Sequence, residues 1–177
     1  SQGLVPLPGI HPVLAHKVCG ATPDIGGLYV LQQVIRSDGI AAPAELVQTF
    51  TCSVTVTAQW VELAIASPPS TTSSLEVSIF DLQGAVQPSA DPLSVTATAA
   101  LLQGATLAPP VWGATDPLAT PARLEAGHRY GLAVKTGGNW SLGVASSKGG
   151  AYYNGGALYS RDGPSGPFAL ETDRDLS

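Results

Sequence analysis

The sequence predicts an all-β fold, an antiparallel sandwich or barrel. Three observations carry this expectation. Short segments in which apolar and polar residues alternate recur from Thr49 onward, and a period of two marks a half-buried strand. Glycine, proline and asparagine separate these segments, and the 177 residues include 20 glycines and 15 prolines, which suit tight turns and interrupt helices. Hydrophobic residues make up 44% and charged residues 12%, a balance that fits neither a disordered tail nor a helical bundle. The length allows one well-cored domain with a short appendage.

Residues 1–47 read differently from the rest and form a candidate attachment or oligomerisation segment. Pro6, Pro8 and Pro12 punctuate its start, and "IGGLYVLQQVIRSDG" supplies one apolar element ending at Gly39. Leu28, Leu31 and Ile35 suit one helical face, while Tyr29, Val30, Val34 and Ile35 suit a strand, so periodicity leaves both open. An element unable to bury its apolar face alone docks on the main domain or on copies of itself. The main domain, 48–177, opens with "QTFTCSVTVTAQWVELAIA", read as a half-buried strand pair. There Val61, Leu63 and Ile65 fall on one side and Trp60, Glu62 and Ala64 on the other. "SPPSTTSS" is a loop, and "LEVSIFDLQG" is a strand with Val77 and Ile79 inward that closes at Gly84. "ATAALLQG" suits a helical turn as well as a strand. A Pro-rich passage follows, then strands "RYGLAVKT" and "NWSLGVAS" around Gly137-Gly138-Asn139, and "RDGPSGP" marks another turn. Helix is expected to be minor.

Net charge is −5 and the few Lys and Arg residues are scattered singly, which leaves no electrostatic footprint for nucleic acid. The apolar runs fall short of the roughly 20 residues a membrane helix needs, so no membrane insertion is expected. The chain contains no Met, and Ser1 reads as a cut or processed end. Cys19 and Cys52 are the two cysteines. Far apart and without a CxxC or a neighbouring His pair, they point to no metal site. The plain reading is two separate small core residues; the other is one disulfide tying the N-terminal segment to the first strand.

The pieces "QTFT", "VTAQWVELAI", "LEVSIFDLQG", "LEAGHRYGLAV", "NWSLGVASS", "YYNGGALY" and "DRDLS", in that order, resemble a β-sandwich module of jelly-roll topology. Such modules occur in secreted bacterial proteins and in the fibres and spikes of phages or phage-like particles, including gene transfer agents. The resemblance covers about Gln48 to Ser177. Each piece is a generic strand or turn, and their order carries the likeness. The chain departs from the pattern in lacking the usual closing aromatic and in carrying "GATLAPPVWGATDPLATPARL" where a plain strand is usual. The resemblance implies a two-sheet jelly-roll sandwich and an extracellular or particle-surface setting. It also implies an adhesive or sugar-binding role, with a bacterial surface or capsular polysaccharide as partner and a parent virion or surface protein, or sister chains, as attachment.

No catalytic residues are assigned. His11, His16 and His128 are isolated, with no HExxH or GxSxG pattern, and His128 in "EAGHRY" reads as an exposed turn residue. Asp81, Asp116, Asp162, Asp173 and Asp175 include the pairs a glycosidase would need, but turns collect Asp for backbone reasons alone. No cofactor is expected. "DRD" and "SRDG" offer hard oxygens without a twelve-residue calcium loop, so any bound calcium would stabilise a loop.

Aromatics guide the binding expectation, because a sugar offers a C–H face to a flat ring and hydroxyls to polar rim groups. Trp112, between Pro110 and Gly113 in a turn-rich passage, has Thr115 and Asp116 nearby as rim groups; its alternative role is to plug one end of the sandwich. Trp60 is outward or covered by the appendage, depending on which face is core. Trp140 is read as a core anchor. Arg161 and Asp162 follow the tyrosine stretch and could bond hydroxyls or an acidic sugar, or form an ordinary exposed ion pair. In "YYNGGALYS", Asn154-Gly155-Gly156 reads as a tight turn with positive φ. Alternation sends Tyr152 and Tyr153 to opposite faces. The resemblance places a tyrosine on each side of the glycines, which implies that Tyr153 and Tyr159 support the fold and leaves Tyr152 as the ligand-facing member. The expected ligand-binding set is therefore Trp60, Trp112, Asp116, Tyr152, Arg161 and Asp162.

Overall fold

A computed structural model describes residues 9–10, 31–36, 45–67, 74–89, 95–103, 111–136, 139–146, 156–162, 166–171 and 174–176. Among them every regular element is a strand, and no helix is long and apolar enough to cross a membrane. One sheet contains β1 (Gly9–Ile10), β2 (Leu31–Arg36), β5 (Trp60–Ser67), β8 (Val111–Ala114), β11 (Asn139–Ser146) and β14 (Arg174–Leu176). A second has the order β13 (Ala169–Glu171), β12 (Leu158–Arg161), β3 (Glu45–Thr51), β10 (Arg129–Thr136), β6 (Ser74–Asp81) and β7 (Val95–Gln103). Its neighbouring strands are all antiparallel. A two-stranded ribbon pairs β4 (Val56–Ala58) with β9 (Ala122–Leu124).

One buried cluster draws on all three sheets. Val61 and Leu63 come from the first, Leu46, Phe50, Val77, Ile79, Leu132 and Val134 from the second, and Ala58, Ala122 and Leu124 from the ribbon. These residues realise the period-two pattern, because alternate positions of each strand turn to the same interior. Each fully buried Leu, Val or Ile contributes about 1.5–3 kcal/mol relative to exposure. The layers also meet at element level: β2 lies against β3 and β10, β14 against β12, and β9 against β7.

Several expectations change at the level of pairing. The "QTFT…WVELAIA" segment is not one strand pair. Strands β3 and β5 enter different sheets, and the short β4 between them pairs with β9. The part of "ATAALLQG" up to Gln103 is strand, not helical turn, within β7, which pairs with β6 across register shifts near Val77, Ile79 and Phe80. The region around Leu31 to Ile35, open between helix and strand, is β2, antiparallel to β11. Strand β1 adds to β5 in parallel. The N-terminal stretch thus contributes two strands to the first sheet, and β3 begins at Glu45, ahead of residue 48. Trp112 lies in a strand, opposite Ala64, instead of in a turn. The prolines on either side of this short segment bound the strand without interrupting it.

Cys52 is disulfide-bonded and 1% exposed. Cys19, the other cysteine in the chain, lies outside the described residues. The plain reading of two separate thiols is therefore overturned, for a reason that sequence separation hides. Antiparallel sheets bring distant segments together, and nothing in the local spacing of two cysteines reports it.

Gly156 has a different role from the one its sequence suggests. It is not among the positive-φ residues, which among the described residues are Gln83, Gly84 and Gly127. A Cβ there would stand 1.8 Å from the Thr49 carbonyl oxygen. The absent side chain permits a double clamp beside it. Thr49 N–H donates to the Ala157 carbonyl at 2.8 Å, and Ala157 N–H donates to Thr49 Oγ1 at 2.8 Å. Asn154 and Gly155 lie outside the described residues. Gly131 serves a milder version of the same need, since a Cβ would press on the Phe80 ring, its cross-strand partner, at 2.8 Å.

Gly156→Ala is expected to cost about 3 kcal/mol or more, read as a lower urea midpoint, because backbone must move to admit the methyl. Gly166→Ala, where a Cβ meets nothing within 4 Å, should shift the midpoint by less than about 0.5 kcal/mol. Reducing the Cys52 disulfide should lower stability by about 2–4 kcal/mol, measured as the difference in melting with and without reductant.

Candidate functional site

Two turns meet at one end of the second sheet. The first follows β6. Ala85 N–H donates to the Leu82 carbonyl at 3.0 Å, with Gln83 at φ 52° and Gly84 at φ 88° between them. Two successive positive φ values define a type I′ turn. Asp81 Oδ1 accepts the Gln83 N–H at 2.7 Å, the Asx arrangement that fixes such a turn locally. Leu82, 2% exposed, anchors the turn in the interior.

The second turn joins β9 to β10. His128 N–H donates to the Glu125 carbonyl at 3.2 Å, and Gly127 takes φ 81°. Gly127 N–H donates to the Cys52 carbonyl at 2.8 Å, and Ala126 N–H to Thr55 Oγ1 at 3.2 Å. Tyr130, 2% exposed, accepts the Glu125 N–H on its hydroxyl at 2.8 Å. This tyrosine corner pins the turn to the strand it leads into.

The turns are fixed to one another. Leu82 N–H donates to the Arg129 carbonyl at 3.0 Å, and Arg129 Nη1 donates to the Ala85 carbonyl at 3.2 Å. Between them lies an open groove of about 380 Å³ lined by Thr51, Asp81, Gln83, Gly84, Gly127, His128 and Arg129. Thr51, Arg129 and Asp81 stand at the ends of the adjacent strands β3, β10 and β6, with Thr51 directly opposite Arg129. The His128 ring stacks at 26° on Tyr130, centroids 6.4 Å apart, and its Nε2 lies 3.7 Å from Glu125 Oε2. Val54 and Val86, two exposed apolar side chains, sit on the loops that build this end. The groove therefore offers a carboxylate, an amide, a hydroxyl, an imidazole and a guanidinium beside small apolar surfaces.

The expected ligand-binding residues do not gather here. Trp60, half-buried, alternates with core residue Val61. Thr115 N–H donates to the Val61 carbonyl at 2.9 Å and Thr115 Oγ1 accepts the Val61 N–H at 3.1 Å. This pair of hydrogen bonds extends the β5–β8 pairing past Ala114, and Asp116, the next residue, is exposed. Trp112 belongs to the same pair of strands. Tyr152 lies outside the described residues, as does Tyr153, whereas Tyr159 is buried.

Arg161 and Asp162 are at the far end of the second sheet. Arg161 pairs with Glu45, and Glu45 and Thr51 are the two ends of β3, about 20 Å apart at strand rise. Asp162 is exposed. The Arg161 side chain is only 9% exposed, so the exposed ion pair considered for it is corrected to a buried one. Its Nε donates to Glu45 Oε1, and the Glu45 side chain is 7% exposed. Its Nη1 reaches the Gly166 carbonyl at 3.4 Å, and its guanidinium lies 4.3 Å over the Phe168 ring. Lys135 Nζ approaches Glu45 Oε2 at 3.6 Å.

The groove residues were weakly marked in the sequence. His128 and Asp81 each read as ordinary turn residues, and Thr51, Gln83 and Arg129 carried no signal of their own. The available clue was that "DLQG" and "EAGHR" are both glycine turns bordered by polar residues. Among the described residues, no group of three or more His, Cys, Asp or Glu side chains is placed to hold a metal ion. No protein-family model matches the chain, and no curated protein is similar enough in sequence to count as a relative.

Removing Arg161 alone leaves a buried carboxylate without its guanidinium, so Arg161→Ala should destabilise by about 3 kcal/mol. The double variant Glu45→Leu/Arg161→Leu should recover at least half of that loss, because an apolar pair needs no desolvated charge. Urea denaturation of the two variants checks both.

Proposed function

We propose that this protein is a non-catalytic carbohydrate-binding or adhesion module with a jelly-roll-like β-sandwich fold. Its ligand is a bacterial surface or capsular polysaccharide, and it works at the surface of a cell or of a phage-like particle, as a spike or fibre component. Residues 1–47, which also lend β1, β2 and the start of β3 to the sheets, join it to a parent protein or to sister chains. The observation that carries the reading is the groove at the ends of β3, β6 and β10. It is open, and its varied hydrogen-bonding groups suit the hydroxyl-rich surface of a sugar. Trp60 on β5 and Asp116, just past β8, are a separate candidate contact for a longer chain. The Cys52 disulfide supports an oxidising, extracytoplasmic setting.

The competing reading is a purely structural virion or surface module. What favours it is Arg161, whose guanidinium is engaged within the fold. A glycoside hydrolase or esterase is less well supported. Glycosidases of the usual kind use two carboxyl groups across the scissile bond, and the described lining of the groove supplies Asp81, with one oxygen already holding its turn.

Affinity electrophoresis against a panel of bacterial surface polysaccharides tests the proposal. At least one is expected to retard the protein, and Gln83→Ala/His128→Ala should weaken that binding about tenfold or more, the loss of one or two hydrogen bonds, with melting unchanged. Binding lost in Trp60→Ala but kept in the groove variant would move the site to β5–β8. Absence of binding throughout the panel, together with a stable oligomer of the full chain, would overturn recognition in favour of the structural role.

A further inference from the structure

The described Lys and Arg side chains pair with carboxylates, with one exception, which lines the groove. Arg123 lies 3.8 Å from Glu125, Lys135 3.6 Å from Glu45, and Arg161 bonds Glu45. Arg129 has no described carboxylate within ion-pair distance; its hydrogen-bond partner is the neutral Ala85 carbonyl. That bond occupies one of the five donors of a guanidinium and orients the planar fork at the groove wall. Asp81, the carboxylate of the lining, accepts a backbone N–H in its own turn. The imidazole of His128 has Glu125 on one side. Arg129 is therefore a positioned, half-buried cation without an anionic partner, facing open space between two fixed turns.

A guanidinium fork matches a carboxylate by two parallel charge-assisted bonds, a fit that a hydroxyl cannot reproduce. Resting on the carbohydrate reading above, we infer that the groove takes a uronic acid residue, with Arg129 binding the sugar carboxylate. Gln83, Thr51 and the free rim of Asp81 take the ring hydroxyls, and the His128 ring, held against Tyr130, borders the same pocket. Arg129 is thus the residue that determines specificity for acidic over neutral sugars. It sits opposite Thr51 at the end of β10, so its backbone is fixed by the sheet and little ordering accompanies binding.

The test uses the full chain with tetragalacturonate and a mannuronate tetramer, each beside its carboxyl-reduced neutral counterpart, by calorimetry at fixed pH and salt. At least one acidic oligomer is expected to bind tenfold or more tighter than its reduced form, with affinity falling as salt rises. Arg129→Gln should abolish that preference and leave the weaker neutral binding in place. Arg129→Lys, which keeps the charge but not the fork, should retain part of the preference and guards against a folding defect in the first variant. Amide NMR shifts confined to residues 83–84 and 127–129 on adding the acidic oligomer would locate the contact. Equal binding of acidic and reduced oligomers would overturn the carboxylate assignment while leaving carbohydrate recognition standing. Failure of both acidic oligomers, with a neutral polysaccharide bound elsewhere in the panel, would overturn it in the same way. Failure of every sugar in both experiments would remove the carbohydrate reading itself.

Discussion

Strand β3 is buried along almost its whole length on both faces, and the second sheet is registered on it. Leu46 and Phe50 turn into the main core, while Val47 and Thr49, 0% and 1% exposed, are covered on the other side. A strand in that position has no solvent to satisfy its polar groups, so each must find a protein partner. The requirement shapes its surroundings. Glu45 at one end draws in Arg161 and Lys135. Thr49 in the middle is clamped to Ala157, which demands glycine at 156. Gln48 Nε2 donates to the Thr49 carbonyl at 3.0 Å. Cys52, just past the other end, carries the disulfide, and its carbonyl receives the Gly127 N–H. Support for the fold and support for the groove thus run along one strand.

That arrangement separates two kinds of charged residue which look alike in sequence. Arg161 and Arg129 each border a turn, and each follows a short apolar strand or leads into one. Arg161 meets a buried carboxylate, a carbonyl and an aromatic face, so its charge is compensated inside the protein. Removing it exposes the cost of the partner it leaves behind. Arg129 meets a carbonyl at the mouth of a groove. What differs is the residue opposite on β3, the acid Glu45 for Arg161 and the neutral Thr51 for Arg129.

The strands themselves were largely legible. Alternation in "LEVSIFD" and "RYGLAVKT" located β6 and β10, and the buried set Val61, Leu63, Val77 and Ile79 follows the predicted parity. Turn chemistry marked "DLQG" and "EAGHR" as turns, and the fold places their glycines at positive φ. Partnership was not legible, because period two reports that a residue faces a core without naming the strand beside it. The consecutive strands β3, β4 and β5 separate into three sheets, and only the folded chain shows it. The same limit hid the groove, which is assembled from residues 51, 81–84 and 127–129. It also misdirected attention to Arg161, whose environment depends on Glu45 more than a hundred positions earlier. Gly156 illustrates the limit from the other side. "NGG" is strong turn chemistry, yet the glycine at its end is required by close packing against Thr49.

Placing a binding groove at strand ends, instead of on a long loop, has an energetic consequence. The loop that carries Gln83 is held by Asp81, by the Leu82 side chain and by the Arg129 carbonyl. The loop that carries His128 is held by Tyr130, Thr55 and Cys52. Apart from the buried Leu82 side chain, each tie is a single hydrogen bond worth about 1 kcal/mol net, and together they fix two short turns whose ends are already set by sheet register. Side chains mounted on such turns lose little freedom when a ligand arrives, so a shallow groove retains more of its contact energy as affinity. On the proposed reading an open groove buries little of a sugar and binds modestly at one site, so avidity would come from repetition on one particle or oligomer.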